Sequence, residues 1–119
     1  MRGNKYNVTN PARRMAYGIL FDSQKEMLDF LVLKGWEKEG RIKEYARQVK
    51  FTLIPSYVDS LGKKWREIAY VADHVFYDTT QARKRVVDSK GMPTPEYLLK
   101  KKLFNYFYKK DNLAIEEEL

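Results

Sequence analysis

Two apolar segments of the chain carry the acidic residues and the lysine best suited to chemistry. The segment "VVDSK" places Asp88 and Lys90 directly after two valines, and "YVADHVFY" places Asp73 within an apolar stretch. Side chains alternate between the two faces of a strand, so Asp88 and Lys90 point the same way as Val86. If the two strands pair through a turn at 79–83, Asp73 and Asp88 converge. Neighbouring carboxylates repel unless a cation lies between them, and a divalent metal is the usual cation.

The other residue types limit the chemistry that these carboxylates would support. The chain has no cysteine and a single histidine, His74, which excludes disulfides, thiolate zinc sites, a cysteine nucleophile and a histidine cluster. Any metal would therefore be held by carboxylate oxygens, which favours Mg²⁺ or Mn²⁺. The ammonium group of Lys90 would hold a water molecule or neutralise charge that develops on a phosphate. His74 alternates to the face opposite Asp73, and we expect it to be structural.

Each of these acids also has a purely structural interpretation. Asp73 would serve as a strand-end acid paired with Arg66 or Arg85, and Asp88 would form a surface ion pair with Lys90, which contributes little to stability. The apolar neighbours of Asp73 favour the metal-ligand interpretation, because burying an unpaired carboxylate costs several kcal/mol.

Hydrophobic patterns predict two helices and four strands around these residues. A helix over "FDSQKEMLDFLVLKGWEKEGRI" begins at a Ser23 cap and ends at Gly40. Strands are predicted over "QVKFTLIPSY", "WREIAYVADHVFYD" and "KRVVDSK". Thr94 followed by Pro95 starts a second helix, and "NLAIEEE" predicts a short edge strand.

The order of these elements predicts the fold class. Three strands with short turns form an antiparallel meander, and a helical crossover then brings the last strand back parallel to one of them. The expected architecture is α/β, with an α-β-β-β-α-β order and a mixed sheet flanked by helices. At 119 residues the chain is long enough for one domain, predicted over residues 21–119 after a basic N-terminal arm at residues 1–20.

The distribution of charge indicates a polyanionic partner. The net charge is +7, but residues 111–119 hold four acids and no bases, so residues 1–110 carry +11. Basic proteins of this kind bind polyphosphates through counterion release, which favours nucleic acid. The predicted DNA-binding residues are Arg2, Lys5, Arg13, Arg14, Lys100, Lys101 and Lys102. For the three lysines, a solvated helix face is the alternative interpretation.

The spacing of the acids and the lysine resembles the signature of the PD-(D/E)XK nuclease superfamily. That signature is an acid on one strand and acid–any residue–lysine on the next, here Ala72–Asp73 and Asp88–Lys90, with alanine in place of the usual proline. The predicted element order is similar to the superfamily core, so the resemblance covers residues 21–119. The segments "FDSQKEMLDFL" and "GMPTPEYLLKKKLF" are similar to small phage-encoded, Holliday-junction-resolvase-like members. Phage endonuclease I and TnsA-type transposase subunits belong to the same superfamily.

This resemblance implies a restriction-endonuclease-like core and a metal-dependent DNA endonuclease. It implies catalytic roles for Glu26, Asp73, Asp88 and Lys90. The three acids and a backbone carbonyl near Ser89 would hold one or two Mg²⁺ or Mn²⁺ ions. It further implies structure-selective hydrolysis of branched DNA, for which a homodimer matches the two-fold symmetry of the substrate.

Glu26 and the activity itself have open alternatives. Ser23-x-x-Glu26 fits a capping box, so Glu26 either serves the site or only caps the first helix. A non-catalytic nucleic-acid-binding module and a nuclease subunit that needs a partner protein are the rival functions.

The sequence favours an intracellular location. Its N-terminal residues lack the apolar centre of a signal peptide, and no apolar run reaches the roughly 20 residues of a membrane helix. We expect a cytoplasmic protein without membrane contact, in the host cytoplasm if it is phage-encoded. The absence of cysteine suits that reducing compartment.

Overall fold

A four-stranded mixed sheet lies between two helices in the computed structural model, which describes residues 10–119. The elements in chain order are a 3₁₀ turn at Pro11–Arg14, β1 (Met15–Ala16), β2 (Ile19–Leu20), α1 (Gln24–Lys38), β3 (Ile42–Ile54), β4 (Tyr57–Val58), β5 (Lys64–Trp65), β6 (Ile68–Asp78), β7 (Arg83–Val87), α2 (Pro95–Phe107), a 3₁₀ turn at Lys109–Asp111 and β8 (Ile115–Glu116). Within the described residues, neither helix has the length and hydropathy that crossing a bilayer requires.

The main sheet has the order β3-β6-β7-β8. The first three strands are antiparallel, with His74 opposite Arg47 on one side and opposite Val87 on the other. Helix α2 then crosses over, and β8 returns parallel to β7 at the edge. The predicted α/β class, the α-β-β-β-α-β order of the main elements and the parallel return of the last strand are confirmed.

Each helix begins at a predicted cap and buries an apolar face on one side of the sheet. The Ser23 side chain accepts a hydrogen bond from the backbone N–H of Glu26, and the Thr94 side chain accepts one from Tyr97. Under α1, Leu33 packs with residues of the sheet, and under α2 the central residue is the fully buried Phe104. The site therefore forms on a sheet that is covered on both faces.

The spacing of Leu99, Leu103 and Tyr106 suggests that these residues form the apolar stripe of α2. The buried face of the helix is different. Leu99 and Tyr106 are 57% and 64% exposed, whereas Phe104 is buried and stacks against Tyr108 with a centroid separation of 4.7 Å. The helix carries apolar residues on most of its surface, so its pattern alone did not select the buried face.

Residues 10–20 belong to the basic arm predicted for residues 1–20, and they have local structure. They form the 3₁₀ turn and the β1–β2 hairpin, and Ala16 and Ile19 pack against Phe21 and Phe30 near α1. Aromatic contacts with α1 stabilise this segment although it lacks sustained periodicity. Arg2 and Lys5, the first two predicted DNA contacts, lie outside the described residues.

Two strand boundaries also differ from the prediction. Strand β3 begins at Ile42, earlier than predicted, and it contains a register irregularity between Lys43 and Ala46. The predicted strand from Trp65 onward is divided, since Trp65 belongs to β5 and pairs with Tyr57 of β4. The bulged start and the small ribbon both interrupt the period-two pattern from which strands are predicted.

Replacing Phe104 by Ala should destabilise the protein strongly. The ring is fully buried under α2, so its removal leaves a cavity, and we expect the free energy of unfolding to fall by about 3–5 kcal/mol. Phe107→Ala is the matched control, because that ring is 39% exposed in the same helix. Urea denaturation of both variants measures the difference, and equal losses would contradict the assigned face of α2.

Candidate active site

The alternation of side chains along β6 is interrupted at Asp73. Ala72 and Val75 belong to one apolar cluster beneath α2, while Phe76 packs with Leu33 of α1. Both intervening residues have partners on the α1 side. Asp73 shares the amide of Gln48 with a carboxylate of α1, and His74 reaches α1 through a serine hydroxyl. The prediction that His74 lies on the face opposite Asp73 is therefore wrong, although His74 is buried in a hydrogen-bonded, structural environment as expected.

Gln48 of β3 accommodates this interruption. It stands between the pairs Arg47–His74 and Val49–Ala72 and has a positive φ of 52°, an uncommon backbone conformation for a residue other than glycine. Its side-chain amide donates to Glu26 Oε2 at 2.9 Å and to Asp73 Oδ1 at 3.3 Å. Gln48 begins the predicted strand "QVKFTLIPSY", which suggests only a position at the rim of the site, whereas in the structure its side chain bridges the two acids.

The ammonium group of Lys90 lies between carboxylates from two different elements. Its Nζ is 3.5 Å from Asp73 Oδ1 on β6 and 3.6 Å from Glu26 Oε1 on α1, and 3.3 Å from Asp22 Oδ2. Burial lowers the pKa of Lys90, but the three acids outweigh this effect, so the pKa is raised. Lys90 therefore stays protonated at neutral pH.

Burial and negative neighbours make the carboxyl group of Asp73 hard to ionise. Only 3% of Asp73 is exposed, and this burial raises its pKa. Lys90 and the N–H of Ser89 lower it, while Glu26 and Asp88 raise it, and the pKa reaches about 6. The single positive charge of Lys90 therefore does not offset burial and the repulsion from Glu26 and Asp88.

Glu26 contributes its backbone to the helix cap and its carboxylate to the site. Its N–H is bound by Ser23, but its carboxylate oxygen Oε2 accepts from Arg47 at 3.1 Å and from Gln48. Oε1 is buried without a hydrogen-bond partner in the described part of the chain and faces Lys90. The side chain is thus not used for capping among the described contacts, which leaves it available for a ligand.

Asp88 shapes the turn that carries Lys90. Its Oδ1 accepts from the N–H groups of Lys90 and Gly91 at 3.0 and 2.8 Å, and its Oδ2 accepts from the hydroxyl of Tyr70 at 2.8 Å. The pairing of β6 with β7 brings Asp88 near enough to raise the pKa of Asp73, as the strand pattern predicted. Its carboxylate is nevertheless committed to the turn, and its role as a metal ligand stays a prediction.

Ser89 connects the site to a buried chain of polar groups that the sequence did not reveal. Its N–H donates to Asp73 Oδ2 at 2.9 Å, and its hydroxyl donates to Asp29 at 2.7 Å and contacts His74 Nε2 at 2.9 Å. The other ring nitrogen of His74 is 2.8 Å from the hydroxyl of Tyr45. These contacts hold the strand end against α1, so the orientation of Asp73 depends on them.

The carboxylate oxygens of the site suit a hard divalent cation that also keeps ligands from outside the protein. In residues 10–119, no group of three or more acidic or histidine side chains is arranged to hold a metal ion. Two carboxylates, Glu26 and Asp73, share one cationic neighbour, and the unpartnered Oε1 of Glu26 is directed at it. Mg²⁺ is usually bound by one or two carboxylates together with substrate phosphates, so this pair fits Mg²⁺ better than an all-protein cage.

Lys90 is accessible from two cavities that flank it. A cavity of about 320 Å³ lies toward the start of α1 and includes Lys25, and one of about 350 Å³ lies toward the start of α2 and includes Tyr97. Lys90 and Met92 line both. The ammonium group is therefore accessible between the first turns of the two helices.

Residues 4–117 match the sequence profile of a family described as "Protein of unknown function (DUF1064)". The chain belongs to this family. The matched range contains all four residues predicted to be catalytic, so the candidate site lies within the DUF1064 region. No curated protein and no solved structure matches the chain.

The remaining predicted DNA-binding residues of this DUF1064 protein differ in whether their charged groups are paired within the protein or exposed. Arg14 donates to the carbonyl oxygen of Asp22, next to the site, whereas Arg13 lies in the exposed 3₁₀ turn. On α2 the lysine run is divided among three environments. Lys100 pairs with Glu96, Lys101 pairs with Glu117 and Lys102 is exposed. The run is therefore partly a salt-bridged helix face.

Replacing Asp73 by Asn should change the pH dependence of stability in metal-free buffer. The raised pKa means that the folded protein retains a proton that the unfolded chain has released, so wild-type stability falls as the pH rises toward 6. The amide does not titrate. The free energy of unfolding of Asp73→Asn minus that of wild type should therefore increase by up to about 3 kcal/mol from about pH 4 to pH 8. Urea denaturation in EDTA across this range measures it.

Asp78→Asn provides a control of opposite sign. Burial raises the pKa of Asp78, but hydrogen bonds from Thr80, Gln81 and Arg85 outweigh it and lower the pKa overall. Wild type then gains stability as the pH rises up to the ordinary pKa of an aspartate, so the Asp78→Asn difference should become more unfavourable up to about pH 4 and stay constant from there to pH 8. A flat profile for Asp73→Asn would contradict the raised pKa of Asp73.

Proposed function

We propose that this protein is a metal-dependent DNA endonuclease that hydrolyses phosphodiester bonds in the site formed by Glu26, Asp73, Asp88 and Lys90. One observation carries the proposal, namely that the ammonium group of Lys90 lies 3.5 and 3.6 Å from the buried carboxylates of Asp73 and Glu26. An acid on one strand with acid–any residue–lysine after the next is also the order that resembles the PD-(D/E)XK nucleases. Geometry and resemblance therefore support the same residues.

The energetics of the site favour a catalytic role over a structural one. Glu26 is fully buried and Asp73 nearly so, and the carboxylates of Glu26 and Asp88 raise the free energy of ionising Asp73. A fold built only for stability gains little from such a group, since buried ion pairs are often no better than apolar residues. Strongly perturbed carboxyl groups in accessible clefts are typical of functional sites.

Mg²⁺ or Mn²⁺ is the cofactor that the donor set fits. Asp73 and Glu26 would hold it, with Asp88 and the backbone carbonyl of Ser89 as further ligands. When bound, such a cation supplies Lewis-acid activation of a phosphate oxygen and of the attacking water. Lys90 orients the attacking water and neutralises charge that develops on the phosphate.

DNA is the substrate that the charge of the chain favours, and the resemblance favours branched DNA. The basic residues outside the acidic C-terminal segment attract phosphates without reading base sequence. A single site in a chain of 119 residues cuts one strand at a time, so paired cuts across a junction require a homodimer. We place the protein in the cytoplasm, where such DNA is present.

Asp73→Asn, Asp88→Asn and Lys90→Ala should each reduce cleavage of a four-way junction by at least about 10²-fold, since the first two remove proposed ligands of the cation and the third removes the ammonium group that acts on the phosphate. DNA affinity should change less than about threefold, because phosphate contacts elsewhere supply most of the binding. A gel assay with Mg²⁺ measures cleavage, and fluorescence anisotropy in EDTA measures affinity. Asp111→Asn and Lys84→Ala, both at exposed positions, are the matched controls. If Asp88→Asn cleaves the junction as fast as wild type does, Asp88 is not part of the active site.

Mg²⁺ and Mn²⁺ binding should depend on the two carboxylates that share Lys90. Calorimetric titration of wild type should show binding that is lost in Asp73→Asn and in Glu26→Gln, because each variant removes an anionic oxygen donor. Asp111→Asn should bind as wild type does. If wild type binds DNA but neither metal, the rival non-catalytic DNA-binding module is favoured.

The substrate class is tested by offering one preparation four substrates in parallel, namely a four-way junction, a fork, linear duplex and single-stranded DNA. We expect the junction and the fork to be cut faster than duplex. Cleavage that appears only after addition of a second protein would identify a partner-dependent nuclease subunit instead.

A further inference from the structure

A two-stranded ribbon extends from the sheet without packing against the rest of the described chain. It consists of β4, β5 and their turn, and residues 55–66 are exposed except Asp59. Four large apolar side chains lie on it, namely Tyr57, Val58, Leu61 and Trp65. Leu61 at the tip is 92% exposed, the highest value among the exposed large apolar residues. An isolated two-stranded hairpin is only marginally stable in water. The exposed apolar side chains of this ribbon therefore suggest a surface that binds a partner.

The tip of the ribbon is nevertheless held in a defined conformation. The carboxylate of Asp59 accepts hydrogen bonds of 2.9 Å from the N–H groups of Leu61 and Lys63 and from the indole N–H of Trp65. Gly62, with a positive φ of 82°, completes the turn. Leu61 is thus presented by a preorganised turn, which lowers the entropic cost of binding a partner.

The uncompensated charge of the ribbon is positive. The one acid among residues 55–66, Asp59, closes the turn, and the next acid, Glu67, is bonded to Lys50 and Thr52. Lys63, Lys64 and Arg66 have no salt-bridge partner among residues 10–119, although Lys63 lies 4.2 Å from the centre of the Trp65 ring. An apolar tip flanked by free cations is complementary to a polyanion with an apolar interior, which describes duplex DNA.

We propose that this ribbon inserts Leu61 into the minor groove of duplex DNA, with Lys63 and Lys64 on the adjacent phosphates. Minor-groove proteins use aliphatic wedges between base steps, whereas ribbons that read the major groove present polar side chains to base edges. This inference rests on the proposed function, because it assigns a second contact on the same DNA that the active site cleaves.

The length of chain between Leu61 and Asp73 limits the distance between the groove contact and the active site. Twelve residues separate Leu61 from Asp73 along β5 and β6, which corresponds to at most about 40 Å of extended chain. The molecule extends 51 × 44 × 23 Å, which accommodates this span. One turn of duplex is about 34–36 Å long, so the contact lies within about one turn of the scissile phosphate.

Binding to a 30-base-pair duplex in EDTA tests the ribbon without requiring cleavage. We expect Leu61→Ser to weaken binding about tenfold and Lys63→Ala/Lys64→Ala to reduce the slope of log K against log salt by about 1.8. The matched controls are Leu99→Ser, also exposed, and Lys109→Ala/Lys110→Ala, which removes the same charge elsewhere. Equal losses in variants and controls, or no loss at Leu61, would overturn the proposal.

A tethered probe tests the position of the contact. The chain has no cysteine, so Leu61→Cys in an Asp73→Asn background carries a single iron–EDTA group. On a four-way junction, which fixes the position of the protein, its hydroxyl radicals should cut within about one helical turn of the wild-type cleavage position, with the offset between strands that a minor-groove source produces. Lys110→Cys is the control for labelling. Cuts scattered along the arms of the junction would reject a defined groove contact.

Two further outcomes separate this inference from its rivals. Sedimentation of Leu61→Ser should give the same mass as wild type, and conversion of a dimer to a monomer would assign the tip to a second copy of the chain and overturn the proposal. If wild type cleaves no DNA but the ribbon variants still lose affinity, the proposed nuclease function fails while the ribbon contact stands.

Discussion

The contact of one ammonium group with two buried carboxylates is the interaction on which the rest of the structure depends. Glu26 comes from α1, Asp73 from β6 and Lys90 from the turn after β7, so three elements meet at these charges. Removing one member of a buried charge cluster leaves the others uncompensated, at a cost of several kcal/mol. The caps, the strand pairing and the turn at Asp88 all act to bring the three groups together.

The cluster is held in place but not fully satisfied. Gln48 and Arg47 bind one oxygen of Glu26, while the other has only the more distant ammonium group of Lys90 as a neighbour among residues 10–119, and Asp73 remains difficult to ionise. Such residual repulsion reduces stability in the absence of additional positive charge. A site that binds a cation and a phosphate gains affinity from the same repulsion, since binding relieves it.

Local patterns were sufficient to predict most of the fold. The caps at Ser23 and Thr94 and the alternating segments around β6 and β7 specify elements that need only their own residues and immediate neighbours. The hairpin at residues 15–20 and the ribbon at 57–65 escaped prediction, because their short strands offer no periodicity and long-range or turn contacts define them.

The candidate site was predictable in its residue types but not in its arrangement. Acid–any residue–lysine after a buried strand indicated Asp88 and Lys90, and pairing indicated Asp73. The partners of Glu26 could not be inferred, because the positive φ of Gln48 and the interrupted alternation at Asp73 are properties of two strands together. A strict alternation therefore placed His74 on the wrong face.

The series of hydrogen bonds from Tyr45 to Asp29 has one donor-to-acceptor direction. The Ser89 hydroxyl gives its hydrogen to Asp29, so His74 must keep a hydrogen on Nε2, and its Nδ1 receives the hydroxyl hydrogen of Tyr45. All three dipoles then point from the sheet interior toward α1, and none can reverse unless the others do. Burial lowers the pKa of His74 to about 4, so at neutral pH the imidazole is held as one neutral tautomer, with its hydrogen on Nε2.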